Sequence, residues 1–245
     1  MDLTFASYNI HKGVGADRRR DPERILAVLH ELDADIIALQ EADRRFGARA
    51  AVLSSALLAD RSPWVPVAPR HRPQSLGWHG NVLLVRRSIT VEGVSTPHLP
   101  TLEPRGAVCA TLAHAGYRWR VAGMHLDLSG LRRRQQVRTI CSHMTEGQEP
   151  LPGVLMGDLN EWSARGGALA AFAPHYHVLA PGRSFPARRP LGMLDRIVVS
   201  DGWGVAGCGV HDSALARQAS DHLPVWARLV LNGARHGAPA STSSA

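Results

Sequence analysis

Residues 3–10 alternate between the two faces of a predicted strand, with Leu3 and Phe5 on one of them. The period then changes. Asp21-Pro22-Glu23 supplies an N-cap, a proline at the first helical position and an early acid, and Ile25, Val28, Leu29 and Leu32 follow at helical spacing, so a helix is predicted there. Residues 36–40 are a short apolar strand ending at Glu41, and 81–86 and 107–113 read as further strands. A strand over 118–126 follows the Ala115-Gly116 turn and is placed to form a hairpin with 107–113. A basic helix is predicted over 131–144, with Val137, Ile140, Cys141 and Met144 as its apolar stripe, and strands recur at 153–157, 194–200 and 224–231. No linker or internal repeat is visible within 1–231, which is expected to be one folded domain, and 232–245 lacks periodicity and reads as a flexible tail.

The apolar strands end in small polar clusters: Tyr8-Asn9, Gln40-Glu41, His125-Leu126-Asp127, Gly157-Asp158-Leu159-Asn160, Leu194-Asp195 and Ser220-Asp221-His222. A single carboxylate after a strand is usually a turn or helix cap. Six clusters at strand ends, or in the turns beside them, point instead to one shared site, because strand C-termini converge on one edge of a sheet. Glu41, Asp158 and Asp221 and the amides of Asn9 and Asn160 are hard oxygen donors suited to Mg²⁺ or Mn²⁺, and the chain has no Cys/His spacing for zinc. An H-E-x-x-H helix, a P-loop and a G-x-S-x-G elbow are also absent from the sequence. Metal-assisted phosphoryl chemistry remains.

Composition agrees with a folded protein: 245 residues, 44% hydrophobic and 20% charged, which excludes a wholly disordered, collagen-like or coiled-coil chain. The formal charge is +7, and Lys12 is the only lysine among 28 basic residues. Arginine's planar fork suits a phosphate-bearing partner, although genomic base composition produces the same bias. Cys109, Cys141 and Cys208 are widely spaced and odd in number, as expected for reduced thiols of a cytoplasmic protein. No signal-peptide pattern opens the chain and no apolar run approaches ~18 residues, so neither secretion nor membrane spanning is expected.

Tyr8-Asn9-Ile10, Leu39-Gln40-Glu41, Met124-His125-Leu126, Gly157-Asp158-Leu159-Asn160, Leu194-Asp195-Arg196-Ile197 and Ser220-Asp221-His222-Leu223-Pro224 resemble the successive motifs of the endonuclease/exonuclease/phosphatase family. They occur in the family's order over residues 3–231, and the opening Ser-Tyr-Asn-Ile-His-Lys-Gly is similar to a YbhP-like bacterial branch. The resemblance implies a two-sheet α/β sandwich with helices outside, like deoxyribonuclease I, and Mg²⁺-dependent cleavage of a phosphoester. It implies Glu41 as principal metal ligand, with Asn9 beside it and Asp221 as a further ligand. Asp158 would orient or deprotonate the attacking water, and Asn160 would hold a phosphate oxygen. His222 would contact the phosphate or shuttle a proton with Asp195 fixing its tautomer, and His125 would be a second imidazole on the developing charge. Asn81 and Arg105 fall where the family often has polar residues near the pocket. Apurinic endonucleases have an acid two residues after the first Asn, where this chain has His11, so abasic-site repair is disfavoured.

The runs Arg18-Arg19-Arg20 and Arg132-Arg133-Arg134 follow motif strands and either rim the site, with Arg134 on substrate, or form a solvated face. The substrate is accordingly open among nucleic acid, a phospholipid head group and a small phosphoester, for an enzyme expected to be a monomer. Peripheral contact with anionic membrane is favoured by the basic charge and disfavoured by the lack of a recognisable apolar insertion hairpin. The other class of function is a non-catalytic polyanion-binding module that retains the fold, against which stands the complete set of carboxylates.

Overall fold

The computed structural model describes residues 1–44, 50–67, 74–101, 105–146, 150–172 and 174–232. The predicted tail beyond residue 232 lies outside the described residues. In chain order the elements begin β1 (Asp2–Asn9), α1 (Pro22–Leu32), β2 (Ile36–Gln40), α2 (Ser55–Arg61), β3 (Trp64–Val67), β4 (Val82–Arg86), β5 (Thr90–Ser95) and β6 (Gly106–His114). They continue with β7 (Tyr117–His125), α3 (Gly130–Thr145), β8 (Gly153–Asp158), β9 (Tyr176–Val178), β10 (Asp195–Ser200), β11 (Trp203–Val210), α4 (Ala214–Ala219) and β12 (Val225–Leu231).

These strands form two six-stranded sheets, in the orders β11-β12-β1-β2-β4-β3 and β5-β6-β7-β8-β10-β9. The same pairing pattern runs across both: one parallel pair, β1 with β2 or β7 with β8, flanked on each side by antiparallel strands. A parallel pair needs a crossover, and α1 and α3 supply it. The architecture therefore contains a duplicated plan, although no sequence repeat is visible.

Residues on each central strand alternate between two cores. Phe5, Ile36 and Ala38 of the first sheet meet Val121, Val154, Met156 and Ile197 of the second, while Ala6, Ile37 and Leu39 face Ile25, Val28 and Leu29 of α1. Ala122, Met124, Leu155 and Val198 point outward from the second sheet onto Val137, Ile140, Cys141 and Met144, the predicted stripe of α3. Burial on both faces explains why these strands read as continuous apolar runs. The outcome is the α/β sandwich, two sheets face to face with helices outside.

Local signals hold where they were specific. The Asp21 side chain accepts from Arg24 N at 3.0 Å and caps α1. Ala115 and Gly116 both have positive φ, +51° and +79°, which matches the right-handed twist of the β6–β7 hairpin they join. All three cysteines are free thiols. Among the described residues no helix is long and apolar enough to cross a membrane.

Candidate active site

The repeated plan brings the polar clusters to one edge. Asn9 ends β1 and Glu41 follows β2 in the first sheet, while His125 ends β7 and Asp158 ends β8 in the second. Asp195 opens β10, and Ser220-Asp221-His222 precede β12, so these two clusters lie at strand starts and not at strand ends as the sequence suggested. Antiparallel pairing reconciles the two: β10 runs against β8 with Asp195 opposite Asp158, and β12 runs against β1. Asn81 and Arg105 occupy the positions just before β4 and β6.

Asp158 is the junction of the two sheets. Asn9 Nδ2 donates to its Oδ2 at 3.0 Å, and Asn160 N donates to its Oδ1 at 2.9 Å. Two imidazoles flank the same carboxylate, His125 Nε2 at 3.4 Å and His222 Nε2 at 3.8 Å from Oδ2. Behind His222, its Nδ1 lies 2.9 Å from Asp195 Oδ2, which also accepts from the Ser184 hydroxyl. Asp158, Asp195, His125 and His222 are all buried.

The two imidazoles are driven apart in protonation. Burial pulls His222 down, but Asp195, Asp158 and Asp221 outweigh it and raise its pKa to about 10. For His125 burial wins over the attraction of Asp158, and with the Arg105 guanidinium adding to the effect its pKa falls to about 3. Arg105 donates to the His125 ring, which accepts only in the neutral form. At neutral pH Asp158 thus has an imidazolium on one side and a neutral imidazole on the other.

Glu41 forms the more open part of the site. Burial pushes its carboxyl up, yet the hydrogen bond and charge of Lys12, helped by Arg105 and His11, bring it below the usual glutamate value. The Lys12 ammonium is hydrogen-bonded to Glu41 Oε2. Asn9 Oδ1 accepts from His11 N at 3.1 Å, and His11 Nδ1 lies 3.7 Å from Asp221 Oδ1. Ser220 Oγ donates to Asn9 O at 2.7 Å, so the turn before β12 is fastened to the end of β1.

This part suits a hard cation. Glu41 is held ionised by positive charge, and Asn9 and Asp221 add oxygen donors. Asp158, Asp195 and His222 also offer ligand atoms within 4.8 Å of one another. In that trio, however, His222 Nδ1 and Asp195 Oδ2 already bond to each other, which suits a histidine–carboxylate dyad better than a metal.

Backbone strain is concentrated here. His11, Lys12, Glu41 and Asn160 all have positive φ, between 44° and 58°, a region that few non-glycine residues enter. Asn160 Nδ2 donates to Leu126 O at 2.9 Å, which uses one of its two amide hydrogens. Asn81 is buried: its Nδ2 donates to Trp78 O at 3.2 Å and its Oδ1 meets no hydrogen-bonding partner among the described residues. The turn that carries it bonds to the Glu41 loop through Ala42 N and Gly80 O at 2.9 Å.

The arginine run on α3 does not act as a unit. Arg133 turns inward to Glu161 Oε2 at 3.2 Å, and Arg134 is exposed with its Nε on Gly167 O at 3.3 Å, bonded to the loop after Asn160 and not to the Asp158 group. Sequence reasoning did not single out Ser184, Lys12 or Phe185, whose ring centre lies 4.7 Å from that of His222. Lys12, as the chain's only lysine, was the one signal available for any of them.

A two-sheet sandwich with carboxylates, amides and imidazoles on one shared edge defines a class of phosphoester-cleaving hydrolases. Residues 6–222 match the model of the Endonuclease/Exonuclease/phosphatase family, and the chain belongs to that family. The "Uncharacterized protein YbhP" of Escherichia coli strain K12 is 28% identical over 249 residues, covering 91% of this chain and 94% of that one. Among solved structures, the mannosyl-6-phosphatase Bt3783 of Bacteroides thetaiotaomicron superposes with a TM-score of 0.75 at 19% identity, covering 94% of this chain and 100% of that one. D. rerio TDP2 complexed with a single-strand DNA product superposes with a TM-score of 0.70 at 15% identity, covering 94% and 99%. At these identities the two structures share the fold.

Proposed function

We propose that the protein is a Mg²⁺- or Mn²⁺-dependent phosphodiesterase whose proton transfers run through Asp158 and His222. The observation that carries this reading is the position of Asp158 between two buried imidazoles, His125 and His222, the second of them backed by the buried carboxylate of Asp195. Held at Glu41 with Asn9 and Asp221, a hard divalent cation would offset the charge of the phosphoryl oxygens and leave phosphorus open to attack.

The remaining chemistry belongs to the chain's own side chains. Asp158 orients a water and takes its proton as the oxygen bonds to phosphorus. Asn9 and Asn160 hold the Asp158 carboxylate in that orientation. As the ester bond to the leaving oxygen breaks, His222 Nε2 delivers a proton to that oxygen, and Asp195 steadies the imidazolium through Nδ1. The proton gained by Asp158 then returns to His222 Nε2, and each turnover consumes one water. His125 and Asn160 contribute hydrogen bonds to the charge that builds on the phosphoryl oxygens. A phosphomonoester is the competing substrate class, favoured by the likeness to a mannosyl-6-phosphatase, and the same side chains would serve it.

The test is hydrolysis of bis-p-nitrophenyl phosphate and of p-nitrophenyl phosphate by the full chain, with Mg²⁺ and with a chelator. Metal-dependent cleavage of the diester is expected, with Glu41→Gln needing a higher Mg²⁺ concentration for half-maximal rate. Activity that survives chelation would overturn the metal dependence, and cleavage of the monoester alone would replace a phosphodiesterase by a phosphatase.

A further inference from the structure

Six large apolar side chains stand exposed among the described residues, and four of them, Leu128, Leu131, Trp162 and Leu191, lie on segments that lead away from the site. Leu128 comes three residues after His125, Trp162 two after Asn160, and Leu191 four before Asp195. Isolated exposed leucines are ordinary. The segments that bear these four, however, are fastened to one another. Arg133 donates to Leu128 O at 2.6 Å and to Glu161 Oε2 at 3.2 Å, joining the first segment to the second. The Trp162 ring comes within 2.9 Å of where a Cβ on Gly192 would stand, and meets Phe185 edge-on at 6.1 Å, joining the second to the third. Phe185 in turn leans on His222.

The charge on these segments has one sign. Arg134, Arg165, Arg183, Arg188 and Arg189 are exposed, whereas the two acids, Asp127 and Glu161, are buried. Leu131 is 75% exposed and Trp162 63%, values that leave most of each side chain to water. A polyanion in water would reward the arginines and could stack on the tryptophan, but would give the three leucines nothing. An anionic bilayer rewards all of them: arginines at the phosphates, tryptophan at the interface and leucines at the acyl boundary.

We propose that this apolar, cationic rim docks the protein on anionic lipid membranes and presents the site to headgroup phosphodiesters. The device is three fastened segments and not the insertion hairpin sought in the sequence. The choice of lipid as substrate rests on the phosphodiesterase reading, whereas the docking itself does not.

Co-sedimentation of the full chain with vesicles tests it, using phosphatidylcholine alone and phosphatidylcholine mixed with phosphatidylglycerol. Binding to the mixed vesicles is expected, with part of it surviving raised salt. Leu128→Ser/Leu131→Ser, checked for an unchanged thermal melt, should partition about tenfold more weakly or worse, while hydrolysing bis-p-nitrophenyl phosphate like the parent. Arg188→Gln/Arg189→Gln should lose much of the preference for the anionic vesicles. No vesicle binding, or binding indifferent to the leucine changes, overturns the proposal, as does a single-stranded oligonucleotide bound in a Trp162→Ala-sensitive way by a protein that ignores vesicles. A chain active on the soluble diester that fails to bind vesicles sinks the docking alone. One that binds vesicles but cleaves no diester sinks the phosphodiesterase reading alone.

Discussion

Asp195 has no exposed surface, and its Oδ2 receives both His222 and Ser184. Replacing it with Asn keeps the shape but supplies a neutral group that cannot hold the imidazolium. Asp195→Asn should therefore lower kcat by roughly 10²–10⁴-fold, in keeping with the loss of an orienting carboxylate elsewhere. The alkaline limb of the rate profile should also move. His222 is protonated up to about pH 10 because Asp195 and its neighbours outweigh burial, so the wild-type rate should hold until that region. In the variant the limb should shift down by more than a pH unit, and an unmoved limb together with an unchanged kcat would make Asp195 a strand-start residue only. The residue pattern alone showed Asp195 and His222 as candidates, and their pairing came from the family resemblance, which implied that Asp195 fixes the His222 tautomer. They are 27 positions apart, and the β8–β10 register and the turn before β12 are what bring them together. Ser184 and Phe185 carried no signal at all, since their roles depend on contacts made across the fold.

At the scale of elements, legibility followed burial. The strand at 36–40, the β6–β7 hairpin and the apolar stripe of α3 could be read because both faces of each strand, or one stripe of the helix, had to be apolar. What escaped reading lies mainly at the sheet edges. β3 contains Pro66, which only an edge strand tolerates, β5 is largely exposed and shifts register between Val91 and Gly93, and β9 has three residues. β11 carries three glycines, Gly204, Gly207 and Gly209, with a register shift between Val205 and Gly207, a pattern with no hydrophobic period. One glycine in the interior has a sharper reason. A Cβ on Gly157 would stand 1.8 Å from the Met124 carbonyl oxygen of the paired strand β7, so the position that places Asp158 admits no side chain. Gly157→Ala should cost about 1–3 kcal/mol or more as the β7–β8 pair is forced apart, and should lower turnover with it. Urea unfolding compared with the kinetics of the folded fraction checks both, and an alanine accommodated at full stability would contradict the close approach.

Across the whole molecule the site is divided between two sheets, so the charged groups gathered there also set how the fold responds to pH. Acid acts first on His125. Its pKa in the fold, about 3, lies below the ordinary imidazole value near 6.5, so its neutral burial supports the fold above about pH 6.5, and that support is lost as pH falls toward 3. Glu41 and Glu161 shift in the same sense: burial raises each, but Lys12 for the first, and two backbone N–H groups with Arg133 for the second, bring them below the ordinary value. Their contribution is also lost on acidification. His222 has the opposite sign. Raised to about 10, it supports the fold fully below about pH 6.5 and loses that support as pH climbs through about 10. Stability should therefore peak near neutrality and fall on both sides, more steeply toward acid, where the growing positive charge of an arginine-rich chain adds repulsion. His125→Gln, neutral at every pH, should flatten the acid side between about pH 6.5 and 4 and leave the alkaline side alone, whereas His222→Gln should do the reverse. Urea midpoints measured across this range for the three proteins decide it. An acid limb unchanged in His125→Gln would mean that the buried imidazole is not what the fold loses when it is acidified.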